Sequence, residues 1–214
     1  LPQILSPLSG GMVRTIGIFF LTLIFSLPLG LLVSFGRMVK NPVLKNLFKL
    51  YISVMRGTPL MLQLMVFYFG PYYLFRMNIG GNWRFIAIIL SFSLNYAAYF
   101  AEIYRSGIES MPVGQYEAAK LLGYSRSQTF FRIIFPQVVK RILPSVTNEV
   151  ITLVKDTSLA FAVAYMEMFT IAKQIAASKT TFMPFVVAAV FYYVFNLIVA
   201  VVMEKLEKKL DYYR

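Results

Sequence analysis

The chain has 214 residues, 58% of them hydrophobic and only 14% charged, with a mean hydropathy of +0.68; soluble domains run at roughly 45–50% apolar and about 25% charged, so a water-soluble domain is excluded. It contains no cysteine and no histidine, which removes disulfides, thiolate chemistry and imidazole metal sites. A net charge of +12 in so apolar a chain reads as basic loops beside membrane spans, not as a nucleic-acid surface.

A bilayer core needs about 20 apolar residues in helical form, and five stretches meet or approach that length. The chain starts at Leu1, not Met, so a few preceding residues are expected; the first apolar run is too long for a cleavable signal peptide and lacks a small-residue cleavage site. The first span is residues 12–35, bounded by Gly10-Gly11 and by Arg37 and Lys40. The second, 50–69, carries Arg56 near its inner end and closes at Gly70-Pro71. Arg56 is expected to be structural, pairing with Glu102. Gln63 falls near midspan, flanked by Met61 and Met65 as adaptable apolar lining; its amide suits either a ligand or packing between helices.

The third span, 83–104, places Asn95 near the midplane. Its amide both donates and accepts, which suits an amino-acid backbone; an interhelical hydrogen bond is the alternative. Trp83, Tyr72 and Tyr73 are expected at the outer interface. Residues 106–135 then form the largest polar loop. Within it, 115–122 reads as a short helix with Ala118 and Ala119 on a small-residue face. Gly123 reads as a left-handed C-cap, and Ser125 with Gln128 as a capping box opening a second, apolar helix. This is either a rigid elbow suited to docking a partner or an ordinary surface hairpin.

The fourth span, 136–159, is the most polar, with Glu149, Lys155 and Asp156. Counted from Arg141 at about 1.5 Å per residue, Glu149 lies roughly 12 Å deep and Asp156 roughly 22 Å, bracketing the midplane of a core about 30 Å thick. They share a helix face, with Thr152 and Leu153 between them. Ionisable groups at such depth are costly and point to function: two carboxylates on one face would stabilise a cationic solute. The alternative is structural pairing with Lys155, Arg56 or a cation on a partner helix. Thr157 and Ser158 follow where polarity rises and could support a broken helix lining a cavity. The segment 165–183 is an outer connection, and the fifth span, 182–203, runs into a charged tail, 204–214. With Arg56 and Lys155 set aside, an N-terminus-outside orientation collects fourteen basic residues within, from Arg37 to Arg214, against five outside, which selects that orientation and a cytoplasmic C-terminus. The expected fold is all-α, a single polytopic domain over 1–214 with five transmembrane helices.

The run Glu117-Ala118-Ala119, then Gly123, Ile133 and Phe135-Pro136, closely resembles the EAA loop of ABC importer permeases, with Phe135 where members usually carry Leu. Arg56-Gly57-Thr58-Pro59-Leu60 followed by Gln63-Leu64 resembles the RGTP segment of the polar amino-acid (histidine/glutamine/arginine) branch, as does PSVTNEVITLVKDTSL over 144–159. The resemblance covers nearly the whole chain and implies a type I importer fold in the cytoplasmic membrane of a prokaryote. It implies two permease subunits, as a homodimer or with a related chain, two cytosolic ATPase subunits that bind ATP and Mg, and an extracytoplasmic amino-acid-binding protein; the outer segment 165–183 is the expected contact for that protein, though no motif marks it. No phosphate loop of the G-x-x-x-x-G-K-[ST] type occurs in the chain, and no cofactor or metal of its own is expected. By position, Gln115, Glu117, Ala118, Ala119, Leu122 and Gly123 are the coupling residues. Candidate substrate residues are Glu149, Asp156, Asn95, Gln63, Met61, Leu153, Thr157 and Ser158, for a polar, cationic amino acid or else an uncharged one such as glutamine. An enzyme is not expected, since no paired catalytic set occurs. A passive channel or membrane scaffold would leave the elbow unexplained.

Overall fold

Helices at the spacing of the apolar runs dominate the computed structural model, which describes residues 2–77 and 80–210. Leu1 and the residues beyond Leu210, Arg214 among them, lie outside the described residues. In chain order come α1 (Pro2–Met38), α2 (Pro42–Gly57), α3 (Leu60–Phe75), α4 (Trp83–Glu109), α5 (Val113–Leu121), α6 (Arg126–Gln128), a π turn (Thr129–Ile134), α7 (Phe135–Asp156), a 3-10 segment (Thr157–Val163), α8 (Met168–Lys179) and α9 (Met183–Leu210). Among the described residues α1, α4 and α9 are each long and apolar enough to cross a membrane, and two bent helix pairs raise the count to as many as five.

The central contact is α1 against α4. A side chain at Gly30 would meet the Phe100 Cβ at 2.8 Å and the Ala97 carbonyl at 3.1 Å. Small residues at such a crossing let two backbones approach, and close packing is what holds helices together in lipid. Arg14 near the start of α1 donates to the Met166 carbonyl (2.8 Å), and Arg84 at the start of α4 donates to that of Ala164 (3.2 Å). The two helices therefore run in the same direction, and α2 with α3 forms the return between them. The core is built on Ile18, Phe19, Ile88, Phe92, Tyr96, Phe100, Leu153 and Met168.

Two expectations are corrected here. The second span is not one helix over 50–69: α2 ends at Gly57, and α3 leaves at 108° after Thr58-Pro59. The ring of Pro59 drives Thr58 into extended backbone (φ −122°, ψ 147°), as the residue before a proline prefers. Nor does Arg56 pair with Glu102. Arg105, one turn away on α4, takes both Glu102 and Glu109, and Arg56 instead lies over the Tyr99 ring, 5.3 Å from its centre. A third difference is α8. The segment 165–183 holds a helix whose N-cap, Glu167, is fully buried.

The elbow follows the sequence closely. Gly123 takes φ +78°, and Tyr124 N–H to Ala119 O with Gly123 N–H to Lys120 O completes a Schellman cap. Ser125 and Gln128 form the reciprocal capping box. The second helix, however, does not stop at Pro136: the π turn immediately ahead of it is the irregularity at which the helix carries on past a residue that has no N–H to donate. Through the π turn, 126–156 is one continuous rod.

The α1–α4 crossing makes a clear expectation. Gly30→Ala should destabilise the purified chain by about 1–3 kcal/mol through overpacking. Gly17→Ala, with nothing near its added carbon, should be neutral or stabilising by up to roughly 1 kcal/mol. Thermal unfolding in detergent compares the two.

Candidate functional site

A helix interrupted at membrane depth exposes carbonyls that lipid cannot satisfy. Here Gln63 and Asn95 satisfy them. The Gln63 amide donates to the carbonyls of Met55 (2.9 Å) and Thr58 (3.1 Å) and to Thr58 Oγ1 (2.7 Å). Asn95 donates to the same Met55 carbonyl (2.8 Å) and to Gln63 Oε1 (2.9 Å). The Thr58 hydroxyl returns to the Val54 carbonyl (2.8 Å), and the Pro59 carbonyl accepts the first N–H groups of α3. Tyr51 ties α2 to α4 higher up through the Leu94 carbonyl (2.6 Å). The break is thus a rigid feature held by side chains from two neighbouring elements.

Beside this latch lies a cavity of about 430 Å³, lined by Thr58, Pro59, Leu60, Asn95, Tyr96, Tyr99, Glu149, Thr152, Asp156 and Leu159. Its volume falls within the roughly 300–1,000 Å³ typical of small-molecule sites. The 149, 152, 156 spacing puts one face of α7 along its wall, and Leu159 of the 3-10 segment extends it. Asp156 is held by the Tyr96 hydroxyl at 2.7 Å, whereas no hydrogen bond or ion pair engages Glu149 among the described residues. The guanidinium of Arg56, stacked on Tyr99, supplies the nearby positive charge.

The structure brings three of the eight predicted substrate residues into the cavity wall: Asn95, Glu149 and Asp156. Gln63 is buried directly behind it, with its amide spent on the latch. Met61 lies one residue past the lining residue Leu60. Leu153 is fully buried in the core, because the 100° step from Thr152 turns it inward. Thr157 is also fully buried and donates to the Val154 carbonyl of its own helix. Ser158 bonds the Lys155 carbonyl and faces a separate depression of about 310 Å³ with Lys155, Phe169 and Tyr192. Tyr96, Tyr99, Thr58 and Pro59 were not anticipated. A tyrosine one turn from Asn95 is a weak sequence signal, and only the bend brings Thr58 and Pro59 to this wall.

Glu167 was also missed. Its carboxylate accepts from Phe169 N (2.7 Å), Thr170 N (2.6 Å), Thr170 Oγ1 (2.7 Å) and Tyr192 Oη (3.1 Å). A charge so fully bonded caps α8 and lies outside the cavity. Its one readable signal is the spacing to Thr170, since Glu is not a usual N-cap.

At the elbow, Ala119 is 1% exposed and faces the chain's own core, while Ala118, Glu117, Leu122 and Gly123 are exposed. The small-residue face expected of the alanine pair is therefore split, with Ala119 letting α5 approach the π turn. Gln115 is bonded reciprocally to Gln137 (2.9 and 2.8 Å), which clamps α5 to α7, and Arg141 reaches back to Ser110 (2.7 Å to O, 2.9 Å to Oγ). The outward tip is apolar: Leu121 is 90% exposed and Leu122 75%.

Residues 26–212 match the family described as the inner membrane component of binding-protein-dependent transport systems. The L-cystine transport system permease protein TcyB of Bacillus subtilis is 36% identical over 209 residues, which cover 96% of this chain and 87% of that one. The putative glutamine transport system permease protein GlnP of Rickettsia bellii is 36% identical over 211 residues, covering 98% and 94%. Among solved structures, the crystal structure of an amino acid ABC transporter with histidines superposes with a TM-score of 0.87 at 29% identity, covering 97% of this chain and 95% of that one.

The latch makes its own prediction. Gln63→Leu leaves at least two polar groups unpaired at roughly 1–3 kcal/mol each, so stability should fall by about 2–4 kcal/mol. Met61→Leu breaks no hydrogen bond and should stay within roughly 1.5 kcal/mol of the parent. Thermal unfolding of the two variants side by side measures the difference.

Proposed function

We propose, for a chain that belongs to the family of inner membrane components of binding-protein-dependent transport systems, the role of membrane subunit in an ATP-driven amino-acid importer. The observation that carries this reading is the cavity at the helix break, where Glu149, without a hydrogen-bond partner among the described residues, shares the wall with Asp156, and Arg56 lies over the lining residue Tyr99. In this reading the chain crosses the membrane five times, with α2–α3 as one bent span, the N-terminus outside and the elbow in the cytoplasm. A second permease subunit completes the pathway. Two ATPase subunits, which carry ATP and Mg, meet the elbow at Leu121 and Leu122. An extracytoplasmic binding protein delivers solute at the opposite end, where Arg14 and Arg84 brace the turn before α8. The chain itself performs no chemistry. It offers alternating access, with the rod from Arg126 to Asp156 linking elbow to cavity.

The substrate follows from charge. An amino acid's carboxylate fits the start of α3 and Arg56, since half-helix N-termini in transporters face anionic groups. Its α-ammonium fits one carboxylate. The second carboxylate then selects a cationic side chain, because two negative groups and one positive group complement a ligand of net charge +1. The second reading is an uncharged polar amino acid such as glutamine. It is favoured by the Tyr96 bond to Asp156, which leaves Glu149 alone to take the ammonium.

Glu149→Gln distinguishes the two. A charge-assisted hydrogen bond is worth about 1.5–3 kcal/mol, so arginine binding should weaken roughly ten- to hundredfold. If Glu149 holds the side chain, glutamine affinity should be unchanged in the same titration. Equal losses for both ligands would assign Glu149 to the ammonium, and unchanged arginine affinity would remove it from the site. The transport role is tested by reconstitution with the ATPase subunit. Substrate-stimulated ATP hydrolysis should require this chain, and Leu122→Asp should abolish the stimulation while leaving substrate binding intact.

A further inference from the structure

Helix α2 presents three chemically distinct faces. One packs inward, with Ile52 against Val33, Ala98 and Ala101 and Phe48 filling the space that a side chain at Gly36 would need. On the second face, Val43, Leu47, Leu50 and Val54 recur at i, i+4, i+7 and i+11, and all are exposed, Leu47 and Leu50 at 61% each. The third is cationic: Lys45 and Lys49 lie one turn apart, with Lys40 just ahead of the helix, and all three are exposed. No acidic residue occurs before Glu102, and no ion pair engages these lysines among the described residues.

We propose that the first turns of α2 seat in the headgroup layer of an anionic bilayer, with Val43, Leu47 and Leu50 in the acyl chains and Lys40, Lys45 and Lys49 on lipid phosphate oxygens, before the helix descends to the break at Thr58-Pro59. An exposed apolar stripe flanked by unpaired lysines is the pattern of a helix that lies in a membrane interface. The 108° bend at Thr58-Pro59 means that α2 and α3 cannot both follow the bundle axis. Charge also selects the occupant. Among the described residues, a second copy of the chain offers three lysines a single unengaged surface carboxylate, Glu117. Glu102 and Glu109 hold Arg105, Glu204 holds Lys208, Glu207 accepts from Thr147 and Glu167 caps α8, while Glu149 and Asp156 face the cavity. Acidic lipid supplies the missing charge at any copy number. Because the last turn of α2 is latched to α4 through Tyr51, Gln63 and Asn95, this seat sets where the helix break lies relative to the bilayer.

The absence of native cysteine allows single nitroxide labels to be placed on the full chain in vesicles of phosphatidylglycerol and phosphatidylcholine. A label at Leu47→Cys should be accessible to oxygen and shielded from a water-soluble nickel chelate. A label at Lys49→Cys should show greater nickel accessibility. Shielding of the position-47 label from both reagents would mean that protein covers the stripe, and would overturn the proposal. Independently, phosphatidylglycerol is titrated into the solubilised chain and bound species are counted by native mass spectrometry. Near-surface lysines contribute roughly fivefold each to anionic-lipid preference, so Lys40→Gln, Lys45→Gln and Lys49→Gln together should weaken phosphatidylglycerol binding by on the order of a hundredfold and leave phosphatidylcholine unaffected. The single Lys49→Gln variant, which loses one charge, should show about a fivefold loss. Unchanged phosphatidylglycerol affinity in both variants would also overturn the proposal. Neither measurement depends on transport.

Discussion

A backbone broken inside an apolar environment must find its hydrogen bonds within the protein, and the two amides of Gln63 and Asn95 meet that constraint at Thr58-Pro59. The rest of the arrangement follows from it. The break turns α2 away from α3 and carries Thr58 and Pro59 to the cavity wall. It also fixes α2 to α4 at the level of Leu94 and Asn95, directly beside Tyr96 and its bond to Asp156. Polar groups that would be costly singly are tolerated because they complete one network.

The few acidic side chains are distributed with little redundancy. Most are bonded: Glu102 and Glu109 to one arginine, Glu167 to the start of α8, Glu207 to Thr147, Asp156 to Tyr96. Among the described residues Glu149 is the unbonded carboxylate of the cavity wall, and this singles it out more sharply than its sequence position does. Both cavity carboxylates ride on the same rod that begins in the elbow. A displacement of the elbow can therefore reach them without an intervening joint other than the π turn at Thr129–Ile134. Turns of that kind are irregular segments at which helices commonly adjust.

Much of this was legible in the sequence. The elbow's capping chemistry is local, so Gly123, Ser125 and Gln128 announced their conformations within a few residues of themselves. The 149, 152, 156 spacing likewise identified one helix face, and that face does line the cavity. Leu153 was misplaced because adjacency along the chain was taken for adjacency on the surface, although a 100° step turned it into the core. Gln63 and Asn95 were correctly seen as polar groups at depth, yet their joint task was invisible. It requires the Met55 carbonyl, which becomes available only once the second span has broken.

What the amino-acid sequence by itself determined, then, is the membrane class, the five apolar stretches, the elbow and the carboxylate face of α7. These rest on hydropathy, helical periodicity and capping, which operate within a few turns of chain. Only the tertiary structure decided that 50–69 is two helices at a steep angle, that α1 and α4 run together, that Ala119 faces inward and Ala118 outward, and that Arg56 goes to Tyr99 instead of Glu102. Each of these depends on which distant backbone or ring is within reach, and a linear pattern of residue types does not encode that distance.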